Sequence, residues 1–316
     1  MVKVVYILAW GRSGTTLLDN LLGEVPRFFS GGEIRFLWKR GLGFDWRCGC
    51  GSSLTECEVW SQVLSGLRNI FPRMNDPGIV EEIQQRYLRI RHTPRLLKTE
   101  SGDLGRHPAL SSYASLMTVL YEQLAEVTSS RVIVDSSKRP SDAAFLRLLP
   151  GIEPYLIHVI RDPRGVAYSW SKSDNRLAPH SLWTSTLSWN LWNLAGEALR
   201  AKYGGERTCL VRYEDFVKHP SATLELIATM VDENAQALPS PEQDTTFRFG
   251  INHTVSGNPS RFRRGEVRLQ LDDQWMTHMS PIRKAAVTCM SLPLLRRYGY
   301  ALTPKQETDL MGSPSL

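Results

Sequence analysis

Apolar residues open the chain in an unbroken run, Val4-Val5-Tyr6-Ile7-Leu8-Ala9, which ends at Trp10-Gly11-Arg12-Ser13-Gly14-Thr15-Thr16. A run of this kind without polar alternation predicts a strand buried on both faces. The glycines with Ser and Thr behind it predict a tight turn into an amphipathic helix. The order then recurs. Residues 131–135 predict a second strand, followed by Ser136-Ser137-Lys138 and a helix over about 141–149. Residues 155–160 predict a third strand, ending at Arg161-Asp162-Pro163-Arg164-Gly165, with Pro163 in the first turn of a helix reaching about Ser173. Residues 209–213 predict a fourth, and His219-Pro220 introduces a helix to about Val231. Strands alternating with helices predict an α/β fold with a central parallel sheet flanked by helices and ligands at the carboxyl ends of the strands.

Between the first two units the period changes. Apolar spacing near 3.6 predicts helices over 59–70, 80–91 and 112–127, a helical insertion spanning about 54–128 from which an acceptor pocket is expected. Residues 40–53, rich in Gly, Cys and Arg, read as an irregular loop. Residues 181–202 predict a long helix whose Trp183, Leu187, Trp189, Leu191, Trp192 and Leu194 are read as core first and ligand wall second. A polar stretch at 234–244 reads as a loop and 306–316 as a flexible tail, giving a single domain over 1–305.

Composition narrows the partners. With 316 residues and 42% apolar content the chain can bury a large core. Its 38 Lys and Arg against 32 Asp and Glu leave +6, a modest excess that suits an anionic ligand, and without a basic run no nucleic-acid partner is expected. No uncharged apolar stretch reaches membrane-spanning length, and Gly11 and Arg12 interrupt the first strand too soon for a signal peptide, so a cytoplasmic protein with no transmembrane segment is expected. Of five cysteines, Cys48, Cys50 and Cys57 cluster, while Cys209 and Cys289 stand alone. The odd count argues against a disulfide framework. A closed zinc site needs four ligands, and no fourth Cys or His lies near these three in sequence, so the expectation is a packed or redox-labile loop and no metal.

The opening turn carries the chemistry. Gly11 and Gly14 let backbone approach a ligand, and Ser13, Thr15 and Thr16 place hydroxyls beside the unpaired amides of a helix start, which attracts phosphate or sulfate. Arg12 adds forked donors for a tetrahedral oxyanion. Ala9 stands where the first glycine of a nucleotide triphosphatase loop belongs, and no lysine follows Gly14. The turn therefore suits a 5′-phosphate or phosphosulfate. A P-loop-type kinase or NTPase using ATP is the alternative enzyme, and a non-catalytic phosphoadenosine-nucleotide-binding protein the alternative from another class.

Gly11-Arg12-Ser13-Gly14-Thr15-Thr16, together with Ile160-Arg161-Asp162-Pro163-Arg164-Gly165 and Ser169, resembles the sulfotransferases that use 3′-phosphoadenosine 5′-phosphosulfate (PAPS). The resemblance implies that Arg12, Ser13, Gly14, Thr15 and Thr16 form a P-loop-like turn for the 5′-phosphosulfate, and that Arg161 and Ser169 grip the 3′-phosphate. A helix from Pro163 agrees, since Ser169 falls about two turns along it on the side of its start. Ser30-Gly31-Gly32-Glu33-Ile34-Arg35 is similar to the Gly-Glu-x-Arg segment of the bacterial and protein-tyrosine branches, which implies Glu33 as general base. His158 and His253 are the alternative bases. Lys138 resembles the family lysine on the transferring sulfonate, and Tyr213, in Val211-Arg212-Tyr213-Glu214-Asp215, resembles the tyrosine against the adenine side of the donor. Residues 256–265 resemble the late loop that closes over the 3′-phosphate, with Arg263 its candidate and the register open. The implied reaction is in-line transfer of a sulfonate to a hydroxyl or amine of a small molecule, lipid, glycan or tyrosine side chain. Glu33, Lys138 and Arg12 act at the reacting centre, 3′-phosphoadenosine 5′-phosphate (PAP) leaves, and no metal takes part.

Overall fold

The first apolar run becomes the middle of a sheet. In the computed structural model, which describes residues 1–172, 179–233, 238–241 and 245–303, β1 (Val2–Leu8) is followed by β2 (Phe28–Ser30), β3 (Val132–Lys138), β4 (Ile152–Ile160) and β5 (Thr208–Arg212). Their order is β2-β3-β1-β4-β5, all pairs parallel. Val5 pairs with Val134 on one side and Tyr155 on the other. Because β1 has neighbours on both edges and helices on both faces, Val4, Val5, Ile7 and Leu8 are fully buried, as the absence of polar alternation requires.

Alternate residues of β1 feed two cores. Val5 and Ile7 pack with Leu18, Leu21 and Leu22 of α1 (Thr15–Gly23), while Val4, Tyr6 and Leu8 join the core that contains the insertion. That insertion holds α2 (Trp60–Ile70), α3 (Pro77–Tyr87), α4 (Thr93–Lys98) and α5 (Pro108–Thr128), the last supplying Leu116, Leu120 and Leu124. The predicted helix over 80–91 lies a turn earlier as α3, because Asp76 accepts a hydrogen bond from the Gly78 amide at 2.8 Å and Pro77 opens the helix. Then come α6 (Pro140–Leu146), α7 (Pro163–Ser171), α8 (Leu182–Tyr203), α9 (Tyr213–Lys218) and α10 (Pro220–Met230), with α11 (Trp275–His278) and α12 (Pro281–Arg297) closing the chain.

Three expectations change. Strand β2 escapes a periodicity reading because it is only three residues long, and the antiparallel pair β6 (Thr246–Phe249) and β7 (Gly265–Arg268) is similarly short. β3 runs on through Ser136 and Ser137 to Lys138, since the Ser136 amide donates to the Gly32 carbonyl at 2.8 Å and its hydroxyl to Asp19 at 3.0 Å, so polar strand residues are satisfied inside. On α8 only Trp189 among the six singled-out residues is buried, and Trp192 is half-buried. Trp183, Leu187, Leu191 and Leu194 are each at least 50% exposed, because the helix turns its other side to α7, α12 and β4. The expected tail lies outside the described residues, as do 234–237 and 242–244 of the expected loop. Among the described residues no helix is long and apolar enough to cross a membrane.

Candidate active site

The turn after β1 has no room for side chains where its glycines stand. A Cβ on Gly11 would lie 2.7 Å from the Trp170 ring, and one on Gly14 2.3 Å from the Tyr213 ring. Gly14 is left-handed at φ 76°, and so are Arg12 at 69° and Lys138 at 70°, two non-glycine residues whose backbone strain concentrates at the carboxyl ends of β1 and β3. The Leu17 and Leu18 amides donate to the Gly14 carbonyl, starting α1, and the amides before them form its positive end.

Beside this turn opens a cavity of about 400 Å³, and Arg12, Gly14, Thr15, Thr16, Glu33, Lys138, Arg161 and Ser169 all line it. Residues from the first helix unit, the ends of β3 and β4, and α7 thus meet at one place, where the order of a parallel sheet puts ligands. Ser13 is the exception within the turn, for its hydroxyl donates to the Trp10 carbonyl at 2.7 Å and braces the bend while the side chain is buried. Arg161 is nearly buried. It donates to the Arg12 carbonyl at 2.9 Å, pairs with Asp272 at 3.0 Å, and stacks 4.5 Å over Tyr213. Tyr213 lies outside the cavity lining, wedged between Gly14 and Arg161. Arg263 is exposed and is likewise not a lining residue; Gly257, Asn258, Pro259 and Ser260 of the same loop line the cavity instead.

Among the described lining residues Glu33 is the only carboxylate, against Arg12, Arg40, Lys138, Arg139 and Arg161. Lys138 donates to its Oε1, while Arg40 at 2.9 Å and the Ser256 hydroxyl at 3.2 Å donate to its Oε2. Burial pushes the carboxyl pKa up, but Lys138 and then Arg40 and Ser256 pull harder, and the result lies below the ordinary carboxylate value. Glu33 is therefore ionised at neutral pH, the form in which a carboxylate accepts a proton.

The histidine alternatives are elsewhere. His158 is in the core, its Nε2 2.9 Å from Asn193 Oδ1 and its ring so close to Gly196 that a Cβ there would stand 2.4 Å away; burial pushes its pKa down to about 4. His253 belongs to a separate cluster with Cys48, Cys50 and Cys57. No described residue of 54–128 lines this cavity; the insertion packs its apolar residues against the sheet. Phe36, Arg40, Trp46, Trp10 and Trp192 are among the described residues that do line it. Arg40 lies 3.8 Å over Phe36 and 4.8 Å over Trp46, and the Trp192 indole donates to the Lys138 carbonyl at 3.1 Å. Arg40 opens the stretch expected as an irregular loop and Ser256 the expected late loop, but neither is expected as a partner of Glu33. The only signal for Arg40 was its spacing from Phe36 on a wide, π-type helical stretch (Leu37–Gly43), a geometry that sequence periodicity does not announce.

Residues 62–236, more than half of the chain, match the sequence profile of the sulfotransferase family. No curated protein matches the chain by sequence. Among solved structures, the sulfotransferase domain from the Synechococcus PCC 7002 olefin synthase is similar with a TM-score of 0.56 at 22% identity, over 95% of this chain and 96% of that one. The sulfotransferase domain from the curacin biosynthetic pathway aligns with a TM-score of 0.55 at 17% identity, over 96% and 99%. At these identities the two structures share the fold.

Proposed function

The chain belongs to the sulfotransferase family, and from that premise we propose that it moves a sulfonate group from PAPS to an acceptor hydroxyl or amine by in-line displacement, with Glu33 as general base. The observation that carries this reading is the Glu33–Lys138 pair on the wall of the same cavity as the helix-start turn and Arg161. A base and a cation for the moving group thus stand beside an anion cradle.

The donor fits the residues present. Gly14 and the helix-start amides behind it line the cavity, as an anion cradle requires, and five cationic side chains on the wall match the donor's charge. Arg12, Gly14, Thr15, Thr16 and the first amides of α1 hold the 5′-phosphosulfate, and Arg161 with Ser169 holds the 3′-phosphate. Ser13 and Tyr213 act from behind, keeping the turn and Arg161 in place. The 257–260 segment, which lines the cavity, faces the donor from the late loop.

Glu33 takes the proton of the acceptor as its oxygen or nitrogen attacks sulfur, and the bond from sulfur to the 5′-phosphate oxygen breaks. Lys138, Arg12 and the helix-start amides meet the charge that builds on sulfonate and leaving phosphate, so that PAP departs as a stabilised anion. With Phe36, Trp46, Trp10 and Trp192 on the wall, the acceptor group is carried on an apolar or aromatic body.

Calorimetric titration with PAP, followed by a screen of acceptors with sulfur-labelled PAPS, tests the reading. Saturable PAP binding that ATP with magnesium does not displace, and label transfer to an apolar alcohol or amine, are the expected results. Phosphoryl transfer from ATP, or tight PAP binding with no label transfer to any acceptor, would overturn it.

A further inference from the structure

Cysteines 48, 50 and 57 and His253 place one donor atom each within 4.8 Å of one another, outside the cavity described above. The three cysteines come from one loop, and their missing fourth partner arrives from 196 residues beyond Cys57. No reading of local spacing finds it. The edges of the cluster are 3.5 Å between the sulfurs of Cys48 and Cys57, 3.1 Å from Cys57 Sγ to His253 Nδ1, and 3.9 Å from Cys48 Sγ to the same nitrogen. A tetrahedral zinc ion with ordinary bond lengths needs sulfur–sulfur edges of about 3.8 Å and sulfur–nitrogen edges of about 3.6 Å.

The surroundings are built for it. The loop turns at Gly51, left-handed at φ 102°, where the Gly51 amide donates to the Cys48 carbonyl and the Cys48 amide to the Ser52 carbonyl, both at 2.8 Å. Backbone amides of Val59 and Trp60 point at the Cys57 sulfur, and that of Cys50 at the Cys48 sulfur, the donors a thiolate needs. Gly49 has no space for a Cβ, which would stand 1.9 Å from Asn252 Oδ1, and its amide donates to the Thr254 carbonyl at 2.9 Å. Arg264 donates to the carbonyls of Gly49 and Cys50, placing a cation beside a cluster that three thiolates and one divalent ion leave net anionic. With Nδ1 turned to the sulfurs, His253 offers Nε2 to Glu58 Oε1 at 3.2 Å. A carboxylate on the far nitrogen is the arrangement that fixes the tautomer of a metal-binding imidazole.

We propose that Cys48, Cys50, Cys57 and His253 form a closed, structural zinc site that fastens the 48–57 loop to the segment carrying Ser256. Thiolates and imidazole together select zinc over magnesium or calcium, and four protein ligands leave no open position for catalysis. On binding, three thiol protons are released to solvent and no electron moves. Ser256 follows His253 three residues on in the same irregular segment; its carbonyl accepts from the Glu33 amide at 3.1 Å and its hydroxyl donates to the Glu33 carboxylate. The ion thus holds the backbone against which the catalytic carboxylate rests. The site stands independently of the sulfonate-transfer reading, and its test needs no turnover.

Protein purified under reducing conditions without chelator, from cells supplied with zinc, should carry one zinc per chain by plasma mass spectrometry, and a mercurial should release it. Cobalt substitution should give the intense visible bands of a tetrahedral, thiolate-bound ion. Glu58→Gln, at a side chain that is 80% exposed and so safe for folding, should keep the ion but weaken it roughly 10- to 100-fold in chelator competition. Zinc well below one per chain with all five thiols titrating, or intact mass showing a Cys48–Cys57 disulfide in the folded chain, would overturn the proposal. So would cobalt spectra of an octahedral ion.

Discussion

Lys138 donates to the Glu33 carboxylate across 105 residues of chain, from a backbone held at φ 70°. The contact is produced by the sheet. Gly31 donates to the Val134 carbonyl at 2.9 Å and Ser136 to the Gly32 carbonyl at 2.8 Å, continuing the β2–β3 pairing by the residues that precede Glu33. A short edge strand that periodicity misses is therefore what delivers the base to the end of β3.

Glu33→Gln keeps the shape of the side chain and its hydrogen bonding to Ser256 but cannot take a proton. Turnover is expected to fall about 10²- to 10⁴-fold, while PAP affinity stays within the scatter of calorimetric titration. Near-normal turnover would remove Glu33 from the role of base.

Lys138→Met separates the two forces on that carboxyl. In the unaltered chain burial raises its pKa, and Lys138, the largest opposing influence, helps to bring it below the ordinary value. Glu33 then stays ionised into acid, so the acid limb of kcat/KM lies below the ordinary carboxylate range. The pair also contributes stability above the unfolded-state pKa, which is lost as pH falls through the lowered one. Without the lysine, burial prevails and the limb is expected to move toward neutrality, with kcat also reduced. A profile that does not move would show that Arg40 and Ser256 alone set the ionisation.

The sequence shows the strand-turn-helix units, and with them Arg12, Thr15, Thr16 and Arg161, because each sits just beyond a buried apolar run, while Ser169, on α7, follows from its spacing to Arg161. Lys138 and Glu33 were legible only through their motifs, since their meeting depends on pairing across the sheet. That Arg40 and Ser256 meet Glu33 was not legible. Their function is to touch Glu33, and nothing in the spacing of residues 33, 40 and 256 encodes that contact. The apolar residues of α8 misled for a related reason, as composition cannot tell which face a helix turns to its neighbours.

Arg161→Ala tests the second half of the donor site. Hydrogen bonds to a charged group are worth roughly 1.5–3 kcal/mol, so PAP affinity should fall about 10- to 150-fold. Arg161→Lys keeps the charge and loses the fork that reaches both Arg12 and Asp272, and is expected to fall between the two. Removal of the 3′-phosphate from the ligand should abolish the difference between wild type and Arg161→Ala. If the variant discriminated equally against both ligands, Arg161 would only be bracing the turn.

Asp19 offers a measurement of burial beneath the same turn. It stands on α1, fully enclosed, accepting from the Ser30 hydroxyl at 2.8 Å and the Ser136 hydroxyl at 3.0 Å, and burial raises its pKa to about 7 against the weaker pull of those serines. The unfolded chain releases this proton near pH 3.9. Between these values the unfolded state binds fewer protons than the folded one, so stability declines as pH rises across the window, by up to ~4 kcal/mol at its upper end. Asp19→Asn has the same shape and no proton to lose. Urea unfolding of both chains at pH 4.5 and pH 7 should therefore show the variant gaining on the wild type as pH rises. A gap that stays constant would mean that Asp19 is ionised in the folded protein, with the two serines supplying enough hydrogen bonding to outweigh its burial.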